Sequence, residues 1–243
     1  MREKINVLDV NIEYCSAKQA LKAAVEYMDT PATSVIDLVT IEALMYARDD
    51  QGYREAIEQS DLVLPGQKDI LEAAGITDSR SIRETASQTF LRLWLKYLHR
   101  NHCRVYLLVE TDEEVDALTG CLTEEYRGIA IVGAAKVAPG TEADDMLVNA
   151  INGGEADCVI AILTPPVQEQ FIARNRSQIN TRVWLGAGKL MEFAYRQKSG
   201  KGKVMTFLDR MLFRREIEKQ KRILRCKICG LGLKRDLYTM YRR

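Results

Sequence analysis

No apolar run in this chain of 243 residues approaches the roughly 18 residues a membrane-spanning helix needs. Met1 to Val7 carries charge and lacks the apolar stretch of a secretory signal, so the cytoplasm is the expected location. The chain has no internal repeat and no low-complexity linker. Histidine is reduced to His99 and His102 and cysteine to six residues. Cys15, Cys103, Cys121 and Cys158 stand among apolar neighbours, as small core residues do. Without an export signal, a disulfide framework is not expected. Only Cys226 and Cys229 have the spacing of half a zinc site, and no second pair or nearby histidine completes four ligands. Coincidence is the favoured reading, with a degenerate zinc knuckle or an intermolecular site left open. His99 and His102 read as helix-end residues, where a cation suits the carboxyl terminus. No metal and no other cofactor is expected.

What is present is a globular composition, 47% hydrophobic, long enough for one α/β domain with an appendage. The net charge of +1 conceals an uneven distribution. Residues 201–243 hold 14 Lys/Arg and 4 Asp/Glu, about +10, whereas residues 1–200 hold 21 and 30, about −9. A basic tail on an acidic body points to a polyanion, to phosphate groups or to an anionic membrane surface.

Strand-like and helix-like segments alternate along the body. Ile5–Ile12 reads as a strand or hairpin start, Ala17–Tyr27 as a helix capped by Ser16, and Thr33–Val39 as a buried strand with Asp37 and Thr40 near its end. Helical pattern follows over Glu42–Arg48 and Gln51–Gln59. Then come a short strand, Asp61–Leu64, the Pro65-Gly66 corner and a short helix, Ile70–Ala74. Asp78–Glu84 is polar and reads as a loop, and Ser87 as the cap of a helix over Thr89–His99. Val105–Val109 and Ile129–Val132 read as strands. Between them lies a helix from Asp112 to Tyr126, opened by Thr111 with Glu114 in capping-box position. A helix over Glu142–Asn152 ends at Gly153-Gly154.

The organising stretch is Asp157–Phe193. Cys158–Leu163 is a strand stopped by Thr164-Pro165-Pro166, Phe171–Gln178 is a helix, and Val183–Leu185 is a strand ending in Gly186-Ala187-Gly188. Two strands joined by a helix pair in parallel with a right-handed crossover. The expected fold is therefore α/β: a Rossmann-like, mostly parallel sheet with helices on both faces, over residues 1–200. Residues 201–243 form the basic appendage, with an amphipathic helix over Met205–Leu224. Ligands in such sheets sit beyond the carboxyl ends of the strands, which places a site at the Thr164–Glu169 and Gly186–Gly188 corners.

Gln168 offers an amide and Glu169 an anion at a helix start, where a phosphate could sit nearby; a rigid loop whose Glu169 complements the helix dipole is the plainer alternative. Gly186-Ala187-Gly188 before Lys189 permits close approach of a nucleotide, or is a tight turn without a ligand. Glu192 reads as a contact to a base or ribose, or as a solvated helix residue. The basic helix could lie on a membrane or pack as an ordinary helix. Nucleic acid is not expected, because aromatic residues do not interleave the charges between Arg214 and Arg235.

These corners, taken in order, resemble the WecG/TagA/CpsF family of bacterial glycosyltransferases over about residues 5 to 222. Thr40-Ile41-Glu42-Ala43 stands at its Asn-Ala-Glu type helix start, and Leu64-Pro65-Gly66-Gln67-Lys68-Asp69 at its Pro-Asp-Gly corner. Arg83-Glu84-Thr85-Ala86-Ser87 is similar to its Arg-Val-Thr-Gly-Ser segment. Leu163–Phe171 is similar to its Leu-Gly-x-Pro-x-Gln-Glu segment, and Leu185–Glu192 to its Gly-Val-Gly-Gly-x-Phe-Asp turn. The resemblance implies transfer of an N-acetylmannosamine-type sugar from a UDP-sugar to a polyprenyl-diphosphate-linked acceptor, for surface polysaccharide or teichoic acid.

By the same resemblance, Arg83 with Arg214 or Arg215 of the appendage would steady the leaving diphosphate. Gln168 and Glu169 would position sugar or acceptor, Gly186 and Gly188 would shape the turn beside it, and Glu192 would meet the nucleoside. Thr40 falls at the catalytic helix start. The family's corner aspartate falls on Gly66, which cannot take a proton, so Asp69 is the substitute base. The basic tail implies an anionic membrane surface and a peripheral position on the inner face of the cell membrane. Self-association is left open. The rival expectation is a catalytically impaired relative that binds or regulates in the same pathway, since Gly66, Thr164 and Lys189 depart from the family pattern.

Overall fold

The computed structural model describes residues 3–137, 144–191 and 203–230, with side chains of the last segment described over 210–223. Two compact units divide it, Met1–Gly200 and Lys201–Arg243. The first unit opens with an antiparallel hairpin of β1 (Glu3–Val7) and β2 (Val10–Tyr14). Its two-residue turn places Leu8 and Asp9 at φ 52° and 63°, the backbone that suits the strand twist in such hairpins.

Six strands then form one sheet: β3 (Ser34–Val39), β4 (Leu62–Pro65), β5 (Arg104–Val109), β6 (Ala130–Lys136), β7 (Cys158–Ala161) and β8 (Val183–Gly186). Their order is β4-β3-β8-β7-β5-β6, and every neighbouring pair is parallel. Each residue of β3, β7 and β8 is buried, which is why these strands read as continuous apolar runs rather than alternating ones. The open side of β4 faces β2, where a Glu13 carboxylate oxygen accepts the Val63 amide at 2.9 Å. An inward charge of this kind blunts a sheet edge against unwanted pairing.

Helices cover both faces. On one side, α1 (Ala17–Met28), α6 (Thr89–Arg100) and α7 (Asp112–Glu125) pack against Ile36, Leu64, Leu107, Ile160 and Leu185. On the other, α8 (Asp144–Gly153) and α9 (Val167–Asn175) pack against Val35, Leu108, Val159 and Trp184. Between β3 and β4 lie α2 (Ile41–Asp49) and α3 (Gln51–Glu58), with α3 beside α9. The connection from β4 to β5 adds α4 (Lys68–Ala73) and α5 (Ser79–Ala86).

Local chemistry explains where the structure differs from the sequence reading. Asp78–Glu84 is not a loop: Asp78 caps the Arg80 and Ser81 amides, and an Arg80–Glu84 ion pair holds the turn as α5. Glu84 also accepts the Ala17 amide at 2.9 Å, docking α5 on the start of α1. Ser87 does not cap α6; its hydroxyl bonds back to the Arg83 carbonyl, and Gln88 enters α6 in a left-handed conformation. Helix α9 begins at Val167, directly after Pro166, so Gln168 and Glu169 occupy its first turn. Strand β6 runs on to Lys136 instead of ending at Val132.

The second unit contributes α10 (Lys203–Gly230). Along its exposed surface Met211, Leu212 and Ile223 alternate with basic residues, and Lys219 and Arg222 pair with Glu216 and Glu218. No helix of the described residues is long and apolar enough to cross a membrane.

Candidate active site

Because all six strands run the same way, their carboxyl ends gather at one edge of the sheet. That edge carries Thr40 after β3, Gly66 and Gln67 after β4, Glu110 after β5, Thr164 to Glu169 after β7, and Ala187 to Lys189 after β8. Three cross-links fix the corners. Thr40 caps α2 through the Ala43 amide. Gln67 accepts the Ile41 amide at 2.8 Å, and Gln88 donates to the Gly66 carbonyl at 2.8 Å.

Beneath this edge lies a buried polar cluster. Asp37, Gln168, Glu169 and Tyr53 are 2%, 2%, 3% and 0% exposed. The Gln168 amide nitrogen donates to Asp37 Oδ1 at 3.3 Å and to Glu169 Oε1 at 3.0 Å, while its oxygen accepts the Gly188 amide at 3.1 Å. Both protons of that nitrogen are thus spent inside the protein. Asp37 Oδ2, Glu169 Oε2 and the Tyr53 hydroxyl are buried without a hydrogen-bond partner among the described residues. Burial, and then the Glu169 charge, push the Asp37 carboxyl well above the usual carboxylate range. Burial also raises Glu169, although its own backbone amide, the nearby Tyr53 hydroxyl and Gln168 hold it down in part. Tyr53 faces Glu169 without reaching ordinary hydrogen-bond geometry, and burial raises its phenol as well.

Gly186 is a glycine because this cluster leaves no room for a side chain. A Cβ there would stand 2.5 Å from Gln168 Nε2 and 2.9 Å from Asp37 Oδ1. Gly188 answers a different demand, a φ of +49°, which L-residues adopt at a cost. The amides of this turn are committed: Ala187 to the Ala161 carbonyl, Gly188 to Gln168, and Leu190 to the Ala187 carbonyl.

Lys189 turns to the opposite side. Its ammonium group pairs with Glu110 at 2.8 Å and Glu114 at 2.7 Å. Glu110 in turn accepts the Thr164 amide, so one network joins the ends of β5, β7 and β8. Burial would raise Glu110, but the Lys189 and Thr164 hydrogen bonds outweigh it and hold the carboxyl below its usual range. A carboxyl lowered on folding contributes stability above its unfolded value, and that contribution is lost as pH falls through the folded value. Lys189→Met leaves the two carboxylates facing each other. It should cost about 1–2 kcal/mol at neutral pH, discounted for the partly exposed lysine, and flatten this part of the acid limb in melting curves from pH 7 downward. An unchanged acid limb would remove Lys189 from the account.

The structure brings Thr40, Gln168, Glu169, Gly186 and Gly188 together; the Thr40 methyl is 3.7 Å from a Cβ built on Gly188. Asp69 lies in the first turn of α4 and is 4% exposed. Arg83 is exposed on α5, its guanidinium without a hydrogen bond or ion pair among the described residues. Arg214 and Arg215 are exposed on α10. Glu192 lies outside the described residues, as do the side chains of Cys226 and Cys229. No group of three potential metal ligands occurs among the described residues. Asp37, Tyr53, Gln67, Gln88 and Glu110 were not assigned from sequence. Asp37 had a visible signal, an acid inside a β-branched apolar run, where charge is rare unless compensated. The other four are ordinary polar residues until the chain folds.

The pattern of the glycosyl transferase WecG/TagA/CpsF family matches residues 5–216. The chain belongs to this family. Its relatives include an N-acetylglucosaminyldiphosphoundecaprenol N-acetyl-beta-D-mannosaminyltransferase of Staphylococcus aureus strain NCTC 8325. That protein is 24% identical over 194 residues, which span 78% of this chain and 74% of the relative. The corresponding protein of strain MRSA252 is 23% identical over the same shares of each chain. The WecG/TagA/CpsF match takes in all the strand-end corners described above and the first half of α10. Gly66 has no ionisable side chain, and Lys189 is held by carboxylates.

Proposed function

We propose that this protein transfers an N-acetylmannosamine-type sugar from a UDP-sugar to a polyprenyl-diphosphate-linked acceptor in cell-envelope polysaccharide synthesis. The observation that carries the reading is the family match running through every corner of the strand-end edge. The acceptor hydroxyl oxygen forms the new bond to the anomeric carbon as the bond to UDP breaks. UDP leaves with its diphosphate negative, and the exposed Arg83 guanidinium is the group suited to steady it. Gln168 and Glu169 serve the sugar from beneath, by fixing the turn at Gly186–Gly188. Asp69 is the proposed base for the acceptor proton. The apolar and basic residues exposed on α10 suit an anionic lipid surface, which supports a peripheral position on the cytoplasmic face.

A second reading, a relative that binds without turnover, is favoured by one observation: the corner residue is Gly66 and the substitute Asp69 is 4% exposed. Purified protein titrated with UDP-N-acetylmannosamine, then assayed for transfer to a lipid-diphosphate N-acetylglucosamine, decides between them. Transfer that falls by about 10²-fold or more in Asp69→Asn, the scale of a lost general base, supports the enzyme with that base. Binding without transfer supports the second reading, and no UDP-sugar binding with lipid supplied defeats both.

A further inference from the structure

We propose that Asp37 is a positioning residue for this site, holding Gln168 and through it the Gly186–Gly188 turn as a neutral, proton-bearing carboxyl group. The argument is one of geometry and charge. Asp37 is the single charged residue in a fully buried strand and lies on the same face of β3 as Val35. It faces Gln168 and Glu169 from α9, and Glu169 in turn faces Tyr53 from α3 and Glu42 from α2. None of these groups is cationic. Two buried carboxylates bridged by one amide, with no cation among the groups that face them, cannot both stay ionised at modest cost.

The partners indicate which of the two carries the proton. Glu169 has its own backbone amide and the Tyr53 hydroxyl to steady a negative charge, whereas Asp37 has only the shared Gln168. The three unpartnered atoms, Asp37 Oδ2, Glu169 Oε2 and the Tyr53 hydroxyl, are rich in acceptors. A proton on Asp37 gives that set a second donor. The structural consequence passes through Gln168: its amide is oriented by Asp37 and Glu169 at one end and receives Gly188 at the other. Gly186 leaves it the room. When Asp37 ionises, repulsion from Glu169 loosens the clamp on the turn.

The sign of the pH effect follows. A carboxyl raised on folding favours the folded state at low pH, and this advantage is lost as pH climbs from the unfolded value through the folded one. Asparagine imitates the neutral acid, with an oxygen for Gln168 and an amide for the acceptor side. Asp37→Asn should therefore match the wild type in melting temperature at acid pH and exceed it increasingly toward pH 8. Asp37→Ala should be less stable than both at pH 5. The kinetic arm rests on the transferase reading: the wild-type KM for the UDP-sugar should rise toward alkaline pH, and that of Asp37→Asn should stay level within about twofold. That of Asp37→Ala should be raised about tenfold at every pH, the size of one buried hydrogen bond lost. Failure of the wild type to transfer sugar would sink the transferase reading and leave the melting comparison standing. A difference between Asp37→Asn and wild type that ignores pH overturns the proposal. So does an Asp37→Asn protein that is as unstable as Asp37→Ala or does not fold, because Asp37 would then be needed as an anion.

Discussion

Gly186→Ala lowers the melting temperature by roughly 5–15 °C and, on the transferase reading, removes UDP-sugar binding. The added carbon would lie 2.5 Å from Gln168 Nε2 and 2.9 Å from Asp37 Oδ1. A free glutamine would swing aside. This one is buried, gives both amide protons to carboxyl groups and receives the Gly188 amide. Moving it strands polar atoms on α9, β3 and the turn together. Overpacking alone costs about 1–3 kcal/mol, and each stranded buried group about as much again. Thermal melting measures the first part, and calorimetric titration with UDP-N-acetylmannosamine measures the second. A variant that melts like the wild type and binds the donor would show that Gln168 does not set the turn.

Replacing Gly66 by aspartate, the residue that the resemblance to the family implies at this corner, is expected to harm the protein rather than improve it. A Cβ on Gly66 would stand 2.7 Å from the Val39 carbonyl oxygen and 2.5 Å from the Leu190 side chain. The leucine can move, but the carbonyl is backbone in the sheet and already accepts the Gly66 amide at 2.8 Å. The Gly66 carbonyl is itself held by Gln88. Relief therefore requires the β4 corner to shift, at a cost of about 2–4 kcal/mol. Gly66→Asp should melt well below the wild type and show no gain in sugar transfer. A stable variant with raised activity would mean that the corner adopts the family geometry without strain, and that the missing aspartate alone limits this protein.

The two carboxyl systems respond to pH in opposite directions, which allows them to be separated. Glu110, held by Lys189 and Thr164, contributes stability that acid removes; Asp37, buried beside Glu169, contributes stability that alkali removes. Lys189→Met flattens the first response and Asp37→Asn the second.

The alternation of short apolar strands with helices was enough to establish a parallel α/β sheet, because a strand buried on both faces must be apolar throughout and a parallel return needs a crossover. The order of corners was enough to suggest the family, and glycines, prolines and N-caps mark those corners directly in the sequence. Sequence was misleading where polar residues organise themselves: Asp78–Glu84 looked like a loop and is a helix, since a capping aspartate and an Arg80–Glu84 pair are local bonds that hydrophobic periodicity does not register. Only the fold could show that Gln168 and Glu169 point inward, that Lys189 is already paired, and that Asp37 and Tyr53 belong to the same cluster. Asp37 and Gln168 are 131 residues apart, and no short-range pattern encodes a contact made by laying β3 beside β8 under α9. The chain by itself determined which residues stand where the strands end; the packing of those ends decided which of them are free to meet a substrate.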